Sequence, residues 1–139
     1  MRRIAFAVLL VSLASVMADR ADCKGGPPSG GGSAVGVFSE VGGSGVGGKV
    51  SLRALSTGAR VSIGLKGLQY DVEYIAVYQE NRDCAQEGEL MSRVLGRFRG
   101  GKRGTASLTA DAPLSADQIH SVSVRLGDGL ALVACAPLN

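Results

Sequence analysis

Apolar and polar residues alternate along most of the chain after about residue 35. In the clearest case, Val61, Ile63 and Leu65 alternate with Ser62 and Gly64, the period-two pattern of a strand with one buried face. Strand-like segments of this kind recur at residues 35–41, 49–55, 60–65, 72–78, 90–98, 105–109, 120–126 and 130–134. Because no long helical pattern interrupts them, the sequence predicts an all-β domain of about eight short antiparallel strands.

Glycine-rich turns separate these segments and favour a sandwich or flattened barrel. Residues 42–48 and 100–104 are rich in glycine, and Gly127-Asp128-Gly129 is a strong hairpin signal. Residues 90–98 are ambiguous, since a short apolar run does not distinguish a helix from a strand. Regular turns between short strands, with no repeat and no second domain, indicate one compact β-domain.

The first 34 residues differ in composition from the rest. Two arginines precede the apolar residues 4–16, and Val16-Met17-Ala18 offers small residues at a cleavage position. This pattern predicts a secretory signal peptide over residues 1–18, since the apolar run is too short to span a membrane. Residues 19–34 are rich in glycine, serine and proline and predict a flexible tail. Residues 35–139 form the predicted domain, secreted or periplasmic, with no membrane span after cleavage near Ala18.

Cleavage would also remove much of the positive charge. The full chain has 15 basic and 12 acidic residues, and residues 1–18 contain two of the basic ones. The mature balance is therefore 13 minus 12, or +1. A charge this small gives little support for nucleic acid or a membrane surface as a partner.

Three cysteines, at positions 23, 84 and 135, allow three single pairings. In an oxidising compartment they are disulfide candidates. We favour Cys84–Cys135, because both lie beside strand-like segments whereas Cys23 lies in the tail. Closing a loop of about 50 residues would stabilise the domain by roughly 4 kcal/mol in the chain-entropy treatment. Cys23 would remain as a free thiol, or would link two copies in a dimer.

Several short motifs follow one another in a recognisable order. They are residues 45–52, 64–68, 74–80 and 83–84, followed by residues 120–125 and 132–135. Together they extend over about residues 35–137 and resemble the copper/zinc superoxide dismutases. The resemblance implies an eight-stranded Greek-key β-sandwich. It also implies a disulfide from the loop after the fourth strand to the last strand, at positions that match Cys84 and Cys135.

The metal ligands of that family are not carried over. Its copper strand reads Phe-His-Val-His-Glu, so the resemblance places Ala76 and Tyr78 at two copper histidines and Arg125 at a third. Its zinc loop has no counterpart in residues 87–103, and His120 is the one histidine of the chain. Copper and zinc in such a site need several converging imidazoles. We therefore expect no metal, no cofactor and no catalytic residue. The alternative is a dismutase with a divergent metal site, or an accessory copper protein using Cys23 and His120.

A binding or structural role is the remaining prediction. Tyr74 and Tyr78 share a strand face, which indicates either ordinary packing or an aromatic patch for a protein partner. The densest basic stretch lies within residues 93–103; it is either a solvated surface or a site for an anionic surface polymer. No nucleic-acid module accompanies it. The candidate partner-binding residues are Tyr74, Tyr78, Arg93, Arg97, Arg99 and Arg125.

Overall fold

The computed structural model describes residues 32–84 and 89–139. Eight strands occupy most of them: β1 Ser33–Glu40, β2 Gly47–Leu55, β3 Gly58–Lys66, β4 Glu73–Gln79, β5 Val94–Arg99, β6 Ala106–Ala112, β7 Ser121–Leu126 and β8 Leu132–Pro137. Two short 3-10 turns complete the secondary structure, at Leu90–Arg93 and Ala116–Gln118. The predicted signal peptide, most of the predicted tail and Cys23 lie outside the described residues.

The predicted fold class is confirmed, with shifts at several strand ends. Strand β1 begins at Ser33, so residues 33 and 34 belong to the sheet and not to the tail. The ambiguous residues 90–98 divide into a 3-10 turn and β5. Strand β8 begins at Leu132, because residues 127–130 form the turn after β7. Within the described ranges, no helix has the length and hydropathy needed to cross a membrane.

The strands form a nearly closed, flattened barrel with Greek-key connections. Backbone hydrogen bonds join them in the order β5-β4-β7-β8-β1-β2-β3-β6, and each ladder is antiparallel. In the described part of the chain no ladder joins β5 to β6. A Cβ atom built on Gly96 of β5 would lie 3.0 Å from Cδ1 of Leu108 in β6, so the two strands pack closely across this seam. Strand β7 returns beside β4, the arrangement of a Greek key.

Alternating side chains from both halves of the barrel fill one large core. Val61, Ile63 and Leu65 of β3 point into it, as their alternation predicts, and β2 contributes Val50 and Leu52. Each such side chain stabilises the fold by roughly 1.5–3 kcal/mol when fully buried. The polar residues between them on β2 and β3 consequently point outward. The outer surface of β2 and β3 is therefore formed by these polar side chains.

Strand β4 is buried on both faces. Its inward side chains join the main core, whereas Ile75 and Val77 form a second, smaller cluster with Leu90 on the outer side. Val94 and Leu130 pack at the edge of this cluster. The continuous apolar run of β4 is the sequence signal of this double burial. The outer side of β4 is therefore covered by the segments that follow β4 and β7.

The predicted disulfide between Cys84 and Cys135 is confirmed. The Cα atoms of the two cysteines are 5.9 Å apart, within the range that a disulfide requires. Cys84 is fully buried. The bond ties the loop that follows β4 to the middle of β8, 51 residues later in the chain, and so holds that loop against the sheet.

Candidate functional site

Tyr74 and Tyr78 lie in the main core, with only 2% and 5% of their surfaces exposed. The ring of Tyr74 stacks on Phe98 with centroids 5.8 Å apart. Its hydroxyl oxygen accepts a hydrogen bond of 3.0 Å from the backbone N–H of Gln69. Neither ring has a face left for a partner, so the prediction of a tyrosine contact patch is corrected. Both tyrosines have a packing role, because the even-numbered positions of β4 point inward.

Arg125 holds two loops from a buried position. Only 4% of its surface is exposed. Its Nη2 donates to the carbonyl oxygen of Cys84 at 2.9 Å, and its Nη1 donates to the carbonyl oxygen of Leu130 at 3.1 Å. The guanidinium thus binds the disulfide loop and the turn after β7 at once. Arg125 is a structural residue of the outer side of β4, and its assignment to a partner-binding surface is corrected.

The predicted arginines of residues 93–99 each face a carboxylate. Nη1 of Arg97 lies 2.8 Å from Glu73, Nη1 of Arg99 lies 3.2 Å from Asp71, and Nη2 of Arg93 lies 3.5 Å from Glu80. The antiparallel ladder between β4 and β5 brings Glu73 and the preceding Asp71 beside Arg97 and Arg99. Arg93, in the turn before β5, lies near Glu80, which follows β4. Since each positive charge has a negative neighbour, this surface has little net charge.

The positions that the family resemblance assigns to copper ligands do not converge. Ala76 and Tyr78 point into the core. Arg125 stands opposite Ile75 in the ladder between β4 and β7, and Ile75 belongs to the outer cluster. Arg125 therefore lies on the other side of the sheet from both. In residues 32–84 and 89–139, no group of three or more His, Cys, Asp or Glu side chains is arranged to hold a metal ion.

A different surface gathers positive charge on the opposite half of the barrel. We call it the β2–β3 outer face, and its outward residues on β2 and β3 are Lys49, Ser51, Arg53, Arg60, Ser62, Gly64 and Lys66. The four basic side chains among them are exposed. The alternation of β2 already predicts that its lysine, serine and arginine share a face. The sequence does not reveal that the cations of β3 adjoin them, because that depends on strand register.

The register arranges the cations of the β2–β3 outer face in two pairs. Arg53 stands directly opposite Arg60, and Lys49 is diagonal to Lys66, since these lysines pair with Gly64 and Gly47. Side chains directly opposite each other have Cβ atoms about 5 Å apart, and diagonal neighbours lie about 7–8 Å apart. The two pairs are separated by roughly 13 Å along β2, at about 3.3 Å per residue. The result is an elongated surface with positive charge at both ends.

Short hydroxyl side chains form the floor between the two cation pairs. Ser51 stands opposite Ser62, and Oγ of Ser62 lies 3.5 Å from Oγ1 of Thr109 on β6. A Cβ atom built on Gly64 would have no other atom within 4 Å. No long side chain rises from the floor between the charged ends, so an extended ligand could lie flat on it.

One carboxylate partly neutralises the β2–β3 outer face. Asp111 of β6 accepts hydrogen bonds from Nε of Arg60 at 2.8 Å and from Nη2 at 3.1 Å. These hydrogen bonds are the main cause that raises the pKa of Arg60 and lowers the pKa of Asp111. Among the described residues, Lys49, Arg53 and Lys66 form no ion pair. The face therefore keeps a clear excess of positive charge.

An apolar groove runs beside the β2–β3 outer face. Val35 and Val37 of β1 are each 63% exposed and stand opposite Ser51 and Lys49 in the ladder. Together with Pro137 they border a shallow groove of about 620 Å³ that Lys49 and Ser51 also line. Charged, hydroxyl and apolar groups thus meet along one continuous surface.

A scan against protein-family models finds no match to this chain, and no curated protein matches it.

Proposed function

We propose that this chain is an exported, non-catalytic domain with a superoxide dismutase-like fold, and that it binds an anionic partner through the β2–β3 outer face. The observation that carries the proposal is the pairing of four exposed cations on one flat surface. Arg53 and Arg60 stand directly opposite each other, an arrangement of like charges that destabilises a sheet, and Asp111 offsets only part of this positive charge. Unfavourable local choices of this kind are typical of functional surfaces, and an anionic group between the arginines would relieve the repulsion.

A non-catalytic role is supported by the residues found at the three positions that the resemblance assigns to copper ligands. Two of them point into the core and the third holds a guanidinium that is bound to two carbonyl oxygens. A fixed positive charge at that place disfavours a cation. Export is supported by the signal-like residues 1–18. The Cys84–Cys135 disulfide also fits an oxidising compartment.

The location of anion binding is tested by cation-exchange chromatography of the chain lacking residues 1–18. Two double variants lose the same charge. One is Lys49→Gln with Lys66→Gln on the β2–β3 outer face, and the other is Arg97→Gln with Arg99→Gln on β5, where both arginines form ion pairs. We expect the first variant to elute at clearly lower salt than the second. Equal shifts would mean that only net charge matters, and a larger shift for the arginine variant would return the site to residues 93–99.

The absence of a resident metal is tested by loading the same protein with excess copper and zinc, desalting it and measuring both by elemental mass spectrometry. We expect less than about a tenth of an equivalent of either metal, because the described residues bring no set of imidazole or thiolate ligands together. Near-stoichiometric copper would instead favour the alternative of a divergent dismutase or an accessory copper protein, and a dismutase assay would then follow.

A further inference from the structure

We propose that the anionic partner is an acidic polysaccharide, whose chain lies along β2 and β3 and whose sugar rings contact the groove beside β1. This inference rests on the proposed function and names the chemistry of its ligand. Three features of the surface carry it: the spacing of its charges, the groups between them, and the apolar border.

The spacing of the charges favours an elongated ligand with repeated negative groups. The Arg53–Arg60 pair and the Lys49–Lys66 pair lie at opposite ends of the β2–β3 outer face, roughly 13 Å apart along β2. A single small anion can reach only one of these pairs. A linear polymer with regularly placed carboxylate or sulfate groups can reach both. Arginine also binds such groups with two parallel hydrogen bonds, whereas lysine acts as a point charge.

The floor between the pairs favours a ligand that itself carries many hydroxyl groups. Ser51, Ser62 and Thr109 present hydroxyls that both donate and accept hydrogen bonds. A sugar chain offers complementary hydroxyl groups along its whole length. A polymer that carries negative groups but no hydroxyl groups would offer these serine and threonine hydroxyls no complementary hydrogen-bond partner.

The apolar border favours rings with C–H surfaces. Val35 and Val37 are strongly exposed next to Ser51 and Lys49, and Pro137 closes the far side of the groove. Sugar rings have polar edges and apolar C–H faces, so one ring can contact the valines while its charged and hydroxyl groups contact β2. Isolated exposed apolar residues need no explanation. These two valines, however, share one side of β1 next to the β2–β3 outer face.

Single-stranded nucleic acid fits this surface less well. Proteins that bind it without sequence preference combine a positive groove with aromatic side chains on which the bases stack. The outward residues of β1, β2, β3 and β6 include no aromatic side chain. The exposed Tyr70 lies beyond the end of β3, where it pairs with Gly100.

The inference is tested by isothermal titration of the chain lacking residues 1–18 with four polymers: polygalacturonate, dextran sulfate, neutral dextran and the oligonucleotide poly(dT). The first two separate a carboxylate ligand from a sulfate ligand. We expect at least one of them to bind and neutral dextran not to bind. Poly(dT) should bind at least about tenfold more weakly than the acidic polysaccharide, because stacking is missing. With four cations engaged, the logarithm of the affinity should fall with the logarithm of salt concentration with a slope of about −3.

Two variants separate the contributions of charge and of the groove. Lys49→Gln with Lys66→Gln should weaken polysaccharide binding about tenfold or more and reduce the salt slope by about 1.5, because two of the four neutralising charges are lost. Val35→Ser with Val37→Ser should weaken binding while leaving the salt slope unchanged. Arg97→Gln with Arg99→Gln is the matched control and should leave both quantities unchanged.

The possible failures are distinguishable. If poly(dT) binds as tightly as the acidic polysaccharides, and the lysine variant weakens both, the polysaccharide inference is overturned while anion binding by this face stands. If neutral dextran binds equally well, the role of charge is overturned. If the valine variant binds like the parent, the contact with the groove is overturned. If no polyanion binds, the proposed function fails together with the inference.

Discussion

One residue type has three different roles in this protein, and the surroundings of each arginine decide which. Arg125 is buried and its guanidinium binds backbone carbonyl oxygens. Arg97 and Arg99 are exposed on β5 and form ion pairs with Glu73 and Asp71. Arg53 is exposed and stands opposite another arginine. Counting basic residues along the sequence could not separate these cases, because the neighbours that distinguish them come from other strands.

Replacement of Arg125 by alanine should destabilise the domain strongly. The change leaves two carbonyl oxygens, of Cys84 and Leu130, without their charged donor in a buried region. A buried acceptor that loses its donor typically costs about 1–3 kcal/mol. Urea unfolding of the variant would measure the loss.

The control for that measurement is Arg99→Ala. Its side chain is 61% exposed and makes a surface ion pair, which contributes at most about 1 kcal/mol. Equal stabilities for the Arg125 variant and the parent would show that the two loops hold their positions without the guanidinium.

Replacement of Asp111 by asparagine should change how stability depends on pH. The pKa of Asp111 is lowered in the folded state, mainly by hydrogen bonds from Arg60, so the ionised form stabilises the fold. That contribution is fully present above the unfolded pKa of about 3.9 and is lost as the pH falls through the lower folded pKa. The stability difference between parent and variant should therefore be constant from neutral pH to about pH 5 and shrink on further acidification. A difference that stays constant down to the lowest pH would contradict the assignment.

The same substitution should strengthen anion binding. Asp111 competes with any ligand for the guanidinium of Arg60, and asparagine removes that competing charge. The affinity for dextran sulfate should rise, whereas Asp71→Asn, which releases Arg99 on the other surface, should leave it unchanged. A gain for the second variant alone would place the binding surface along β5.

At the level of elements, the loop after β4 depends on a few strong connections to the sheet. The Cys84–Cys135 bond and the hydrogen bonds of Arg125 both act on Cys84, and Leu90 covers Ile75 and Val77 from the following turn. Residues 80–84 of this loop contain no helix or strand. The disulfide and the guanidinium thus fix the described part of the loop at the same residue, Cys84.

Removal of the disulfide should lower stability by about 2–4 kcal/mol, the typical contribution of a bond that closes a loop of this length. The comparison is Cys84→Ser with Cys135→Ser against the parent, both carrying Cys23→Ser so that no odd thiol exchanges. Urea unfolding gives the difference, and the parent in reductant should match the variant. A loss below about 1 kcal/mol would show that the unfolded chain is already restricted in this region.

The elements were predictable from the sequence to a greater extent than the site. Period-two alternation locates β2, β3 and β7 because one face of each strand must avoid water. It fails for residues 90–98, where a turn and a strand share one apolar run. It also cannot tell which face of β4 points inward when both faces are apolar, so it leaves open whether Tyr74 and Tyr78 pack in the core or form a surface patch. Strand register, which brings Arg53 to Arg60, depends on the whole barrel.

At the level of the whole molecule, the two halves of the barrel are unequal. The half with β4 and β7 has its outer side covered by the disulfide loop and the second cluster. Among the described residues, the half with β2 and β3 leaves its outer side open, with short side chains and with three cations, Lys49, Arg53 and Lys66, that form no ion pair. Binding on the open half does not require the covered half to move.

Because the open half carries two opposed arginines, replacing one of them should change stability and binding in opposite directions. Arg53→Gln removes the repulsion with Arg60 and should raise the urea midpoint at low salt, since like charges directly opposite each other destabilise a sheet. The gain should shrink at high salt, and affinity for dextran sulfate should fall. A variant that loses both stability and binding would show that Arg53 supports the fold.

The opposed arginines also bear on how such a chain would change over generations. Under selection for folding alone, Arg53 would be replaced readily, because a neutral side chain there removes the repulsion with Arg60 and breaks no ion pair among the described residues. Arg60 also has its ion pair with Asp111, so only the retention of Arg53 depends on use of the surface. In descendants of this chain, the loss of Arg53 would therefore mark the end of binding, well before any change in the core.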